Sequence, residues 1–170
     1  MSLVREEEAM DISERRAFVG DNHTCIFGYE RIKAAPSMSV VYYVLDGDDI
    51  LISTMAGRAK AKAVDRTGRV SLCILDLKWP LTYLVVYGQA TLESNLEQTC
   101  TVMMKVGQIM SGRPVPETAN PMVEAMAKRE DRLVVRVTPE ATFYTPPVHL
   151  DAGNDGSKLQ HGYGESLPWR

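Results

Sequence analysis

The sequence is poor in the residues that catalysis by side chains alone usually draws on. It has three histidines in 170 residues: His23, at the start of a strand candidate, and His149 and His161, in a C-terminal stretch rich in Gly, Pro, Asn and Ser. His23 reads as a capping or surface group, since nothing near it in sequence supplies the geometry a general base needs. No nucleophile–base triad and no catalytic carboxylate pair is apparent. The three cysteines, Cys25, Cys73 and Cys100, are widely spaced, with no Cys-x-x-Cys and no His at ligand spacing. That excludes a zinc site of ordinary spacing and a disulfide framework. The apolar flanks of the cysteines suit small core residues in a cytoplasmic protein. No apolar run approaches the roughly 20 residues that span a bilayer, and residues 1–8 lack an apolar signal region. A net charge of −3 and a pI near 5.6 argue against a general nucleic-acid or anionic-membrane partner. An oligonucleotide-binding barrel would interleave basic and aromatic residues; here the aromatics lie on strands and the cations elsewhere.

What remains is an ordinary globular composition, 45% apolar and 24% charged, in a chain long enough to bury a core as one domain. Residues 1–12 read as a leader and 147–170 as a flexible tail. Between them the pattern predicts about six strands and three or four short helices. Asp11 or Ser13 caps a helix to about Val19. Strands are expected at 23–29, 37–45, 50–54, 70–75, 82–92 and 132–138, with Pro139 forcing an edge or an end on the last. Ser94–Glu97 has the capping-box pattern, opening a helix whose Leu96, Cys100, Met103, Gly107 and Met110 form an apolar stripe, read as adaptable core filling. Asn120-Pro121 opens another helix to about Glu130. In the 82–92 strand both faces are largely apolar, so one faces the inside of a barrel and the other a partner or ligand. Short antiparallel links and peripheral helices predict a mainly β fold built on a small antiparallel barrel.

The chain is organised around Asp46–Arg69. A turn leads into a short strand ending in Ser53-Thr54, then a small-residue bend at Ala56-Gly57, then a cationic helix. Two hydroxyls, a backbone open to close approach and the free N–H groups of a helix start are the parts of an anion cradle. From Arg58 to Arg69 five cations (Arg58, Lys60, Lys62, Arg66, Arg69) face one anion, Asp65. A positive island in an acidic chain suits a local anionic guest; a plain solvated Lys/Ala helix has the same composition. On a regular helix Lys60 points some 200° from Arg58, and Lys62 about 40° from it. If all three cations touched one phosphate, a loop would have to carry Arg58.

Taken in order, Ser39–Asp48, Ile50–Thr54, Arg58-Ala-Lys60, Arg69-Val-Ser71 and Tyr83–Leu92 resemble the pyridoxamine 5'-phosphate oxidase-like superfamily of FMN- and F420-binding proteins. The resemblance covers roughly Ser13 to Tyr144. It implies a six-stranded antiparallel split β-barrel of the FMN-binding-protein kind over 13–146, and a homodimer with two cofactor sites at the subunit interface. The cofactor phosphate would be held by Ser53, Thr54, Arg58 and Lys60, with Lys62 and Arg66 weaker candidates. The ring would rest near Ser39, Val40, Val41 and Tyr42, with Trp79 or Leu81 arriving from the other subunit. The Arg-x-Lys spacing is similar to the subgroup that uses the deazaflavin F420, since Ala59 stands where pyridoxamine-phosphate oxidases carry an arginine. The implied function is hydride transfer between F420 and a small organic substrate. The alternatives are an FMN flavoprotein and a non-catalytic flavin- or tetrapyrrole-binding protein. No metal and no specific catalytic side chain is implied.

Overall fold

The computed structural model describes residues 9–78, 81–147 and 162–170. Trp79, His149 and His161 lie outside the described residues, as do residues 1–8 of the expected leader. Four helices, α1 (Ile12–Asp21), α2 (Ala59–Thr67), α3 (Leu96–Ser111) and α4 (Asn120–Arg129), surround an antiparallel sheet. Its strands are β1 (Thr24–Tyr29), β2 (Ser37–Tyr42), β3 (Val44–Asp46), β4 (Asp49–Met55), β5 (Arg69–Asp76), β6 (Thr82–Glu93), β7 (Arg132–Tyr144) and β8 (Glu165–Pro168). The order across the sheet is β2-β1-β5-β6-β7-β4-β3, with β8 added to β7.

The two ends of that order are neighbours in the chain. β2 and β3 are separated by Tyr43 alone, so the sheet must curl until its outer strands meet. Tyr43 makes the corner. Its ring is fully buried, its hydroxyl donates to the Val19 carbonyl at 2.7 Å, and its amide donates to the His23 carbonyl at 3.0 Å. This divides the single strand expected over 37–45. The first part pairs with β1 and the second with β4. With β8, the described strands number eight where six were expected.

Alternation builds the core as the sequence suggests. Along β6, Leu84, Val86 and Ala90 are buried, while Tyr87 faces outward. They join Phe27, Ile50, Ile52, Leu72, Ile74, Val135 and Val137 in the barrel interior. A smaller cluster of Val44, Leu51, Val102 and Val134 packs α3 against the outer face of β3, β4 and β7. α1 is capped by Asp11 with the reciprocal Glu14 bond. α3 is capped by Asn95 rather than Ser94, its side chain accepting from the Gln98 amide at 2.9 Å. α4 begins at Asn120 itself, entered from a 3-10 turn at Glu117–Ala119.

Pro139 does not end β7. It sits opposite Gly88 where the register shifts, between the part of β7 paired with β4 and the part paired with β8. The irregular pairing there tolerates a residue with no amide hydrogen. A Cβ at Gly88 would lie 2.6 Å from the Thr138 carbonyl oxygen, so only glycine fits this crossing. The end of the expected flexible tail is also part of the fold: β8 pairs with Ala141–Tyr144 and Trp169 enters the barrel core. Arg15, almost fully buried, donates to the Thr142 carbonyl and hydroxyl and to the Glu165 carbonyl, tying α1 to both strands.

Candidate functional site

The seam where β2 meets the β4 end of the sheet carries the cationic cluster. α2 leaves β4 through a tight bend in which the Arg58 amide donates to the Met55 carbonyl. Arg58 is the N-cap, with extended backbone (φ −72°, ψ 147°). The loop therefore carries Arg58, the placement required for Arg58, Lys60 and Lys62 to share one phosphate, although Lys62 itself stays exposed on α2. The first amide to bond within this helix belongs to Lys62, donating to the Arg58 carbonyl. Those of Ala59, Lys60 and Ala61 precede it and are the helix's free N-terminal donors.

Lys60 crosses the seam. Its half-buried ammonium donates to the Ser39 hydroxyl of β2 at 2.6 Å and lies 5.7 Å from the centre of the Phe27 ring. Among the described residues no carboxylate pairs with it. Burial, with Arg58 as a nearby like charge, lowers its pKa from the ordinary lysine value; Cys25 nearby opposes this weakly. A lysine pushed this way stabilises an anion that neutralises it. The Arg58 guanidinium is exposed and has no hydrogen-bond or ion-pair partner among the described residues. Open space surrounds Gly57 beside it, where a Cβ would meet nothing within 4 Å.

Beside this corner lies a cavity of about 460 Å³, within the range of roughly 300–1,000 Å³ typical of small-molecule sites. One wall is Val40, Val41 and Tyr42 of β2. The opposite wall is Met103, Met104 and Met110 of α3 with Met122 and Met126 of α4. Its polar lining is Ser53 and Arg132. Arg132 opens β7 opposite Met55. Its Nε donates to Glu130 at 2.6 Å, and its Nη1 lies 3.5 Å from the Ser53 hydroxyl. That bond, reinforced by Arg129 and Arg58, holds the Glu130 carboxyl below the usual carboxylate range.

The structure thus brings together Ser39, Val40, Val41, Tyr42, Ser53, Arg58 and Lys60. Thr54 is corrected: successive residues of a strand face opposite sides, so it turns into the barrel, 6% exposed, while Ser53 faces the cavity. The two hydroxyls do not act as a pair. Lys62 is exposed on α2 and lines no part of the cavity. The methionine stripe is corrected too: α3 buries Thr99 and Val102, and Met103, Gly107 and Met110 line the cavity instead of the core. Arg132 was missed, because only the β4–β7 register brings it to Ser53. No cluster of His, Cys, Asp or Glu among the described residues could hold a metal ion, and no helix among them is long and apolar enough to cross a membrane.

The corner fits a phosphoryl group by its own chemistry: free helix amides, an unpaired arginine and a half-buried lysine with a hydroxyl as its sole bonding partner among the described residues. Comparison with known proteins gives the family and the fold. Residues 13–146 match the family described as Pyridoxamine 5'-phosphate oxidase. No curated protein matches the chain. Among solved structures, the fold is similar to a conserved hypothetical protein from Mycobacterium tuberculosis (TM-score 0.72, 22% identity, 90% of this chain and 98% of that one). It is also similar to a protein named F420 reductase (0.59, 19%, 75% and 94%) and to the haem storage protein HutZ from Vibrio cholerae (0.55, 16%, 77% and 92%). With residues 13–146, most of its length, matched by the family, the chain belongs to the pyridoxamine 5'-phosphate oxidase family.

Proposed function

We propose that the protein is an F420-dependent oxidoreductase acting on a small organic substrate. The observation that carries this reading is Lys60: a half-buried ammonium with no carboxylate among the described residues, at a helix start and bonded to Ser39, the neighbour of the cavity residue Val40. Lys60, Arg58 and the first amides of α2 hold the coenzyme's phosphoryl end, with Ser39 orienting Lys60. Val40, Val41 and Tyr42 receive the ring system, and the methionines opposite exclude water from it. The coenzyme supplies the hydride chemistry when bound, so the protein needs no catalytic triad or metal. F420 is preferred to FMN on the Arg58-x-Lys60 spacing; FMN offers the same corner a phosphate and is the second arm of the test.

We further propose a homodimer with the cofactor sites at its interface. Met38 and Val40 on the outer face of β2 are 71% and 70% exposed, with Tyr42 beside them. An apolar strip of this kind on a terminal strand favours a second copy. Titration of the purified protein with F420 and with FMN, followed by fluorescence, tests the function. Tight binding of F420 and its turnover with quinones, enones or tetrapyrroles supports it. Tight binding of FMN instead replaces F420 in this reading, and binding without turnover across that panel favours a carrier. Sedimentation gives the oligomeric state; a monomer overturns the interface.

A further inference from the structure

The cavity beside the phosphoryl corner has a second cationic handle, distinct from Arg58 and Lys60. Arg132 spends its Nε on Glu130. Its Nη1 reaches Ser53 only at the 3.5 Å limit, and its Nη2 has no hydrogen-bond partner among the described residues. The Glu130 bond fixes the plane of the guanidinium and leaves its outer edge for a ligand. Two terminal N–H groups on a fixed plane match a carboxylate bidentately, a geometry lysine cannot offer.

Local charge supports an anion. Around Glu130 stand Arg129, Arg132 and Arg58, so one carboxylate is outnumbered by three guanidinium groups. Away from Arg132 and Ser53 the cavity is apolar, walled by flexible methionine side chains that adapt to flat or irregular guests. At about 460 Å³ it suits a small molecule rather than a protein segment.

We infer that this cavity selects apolar carboxylic acids. The carboxylate is gripped by Arg132 with Ser53, and the hydrocarbon body lies along the methionine wall of α3 and α4, against the face of the ring that the β2 wall receives. This deepens the oxidoreductase reading by naming the substrate class of the same cleft, and it rests on that reading for its catalytic meaning.

The test compares two fluorescent probes of matched shape, 9-anthracenecarboxylate and 9-anthracenemethanol, titrated into full-length protein without coenzyme. The acid is expected to bind about tenfold tighter or more, as a charge-assisted pair predicts. Arg132→Gln should abolish that preference while leaving the alcohol's affinity close to wild type. Arg132→Lys should restore part of it, and Met126→Glu should weaken the alcohol. Equal affinity of the two probes for the wild type, failure of both to bind, or a preference that survives in a folded Arg132→Gln protein overturns the inference. If the arginine variants do not fold, the Arg58→Ala, Lys60→Ala protein decides: an acid preference that survives there supports Arg132, and one lost with those two residues overturns the inference. F420 and FMN are titrated in parallel. Loss of coenzyme binding with the acid preference intact overturns the oxidoreductase reading; coenzyme binding with no acid preference overturns the substrate class.

Discussion

Replacing Trp169 by alanine tests whether the chain's end is structural. The indole is 4% exposed within the barrel core, its amide donates to the Glu140 carbonyl at 3.0 Å, and the Arg16 guanidinium stands 5.6 Å from its ring centre. Removing a core tryptophan costs about 3–5 kcal/mol. Against this, the indole N–H is buried without a partner among the described residues; alanine relieves that penalty, about 1–3 kcal/mol. Taking the middle of each range, the net loss is about 2 kcal/mol, and at about 2–4 °C per kcal/mol for a chain of this size the melting temperature falls by about 4–8 °C. Trp169→Phe keeps the ring and removes the stray donor, so it should stay within about 1 kcal/mol of wild type. Urea denaturation followed by circular dichroism measures both. A Trp169→Ala protein as stable as wild type, or a phenylalanine variant as damaged as the alanine one, refutes the reasoning.

Gly88→Ala should destabilise by about 1–3 kcal/mol, because its methyl would press on the Thr138 carbonyl and on Val137; the urea midpoint reports it. Arg136 bonds Glu93, Asp49 and Asp46 at 2.7–2.9 Å. Arg136→Gln leaves three carboxylates facing one another and should cost about 1–3 kcal/mol by the same assay. Burial pushes the Cys25 thiol up to about 12, so at pH 8 mass spectrometry should find it unmodified by iodoacetamide while the protein is folded. Anion binding that depends on Lys60 should be full at neutral pH. It should decline as pH rises through that group's lowered pKa, earlier than an ordinary lysine would allow; in Lys60→Arg, isothermal titration should find the alkaline decline displaced upward.

The barrel was legible because its signals are local. Alternation in β6 and the cap chemistry before α1 each involve residues close in sequence. The same is true of the Asp46–Asp49 turn, and of the cationic run that opens α2. The rest depends on pairings between distant segments. The corner at Tyr43 exists because the Val19 carbonyl accepts its hydroxyl, so one apolar run became two strands. Trp169 lies beyond a Gly-rich stretch that carries no sign of β8. Thr54 was misplaced by a reading that counted hydroxyls without applying strand alternation, which assigns Ser53 and Thr54 to opposite faces. The methionine stripe was visible, but periodicity marks an apolar face without saying whether protein or a cavity covers it. Arg132 joins the site through the Met55–Arg132 pairing, which no spacing in the sequence reveals.

The account stands on the grip of Arg58 and Lys60 on a phosphoryl group. Its most direct test is the affinity of F420 and FMN for wild type and for the Arg58→Ala, Lys60→Ala double variant, with thermal melting as the control for folding. With two charge-assisted contacts removed, each worth about 1.5–3 kcal/mol, affinity should fall by at least about a hundredfold while the melting temperature holds. A folded double variant that binds either coenzyme as tightly as wild type would contradict it.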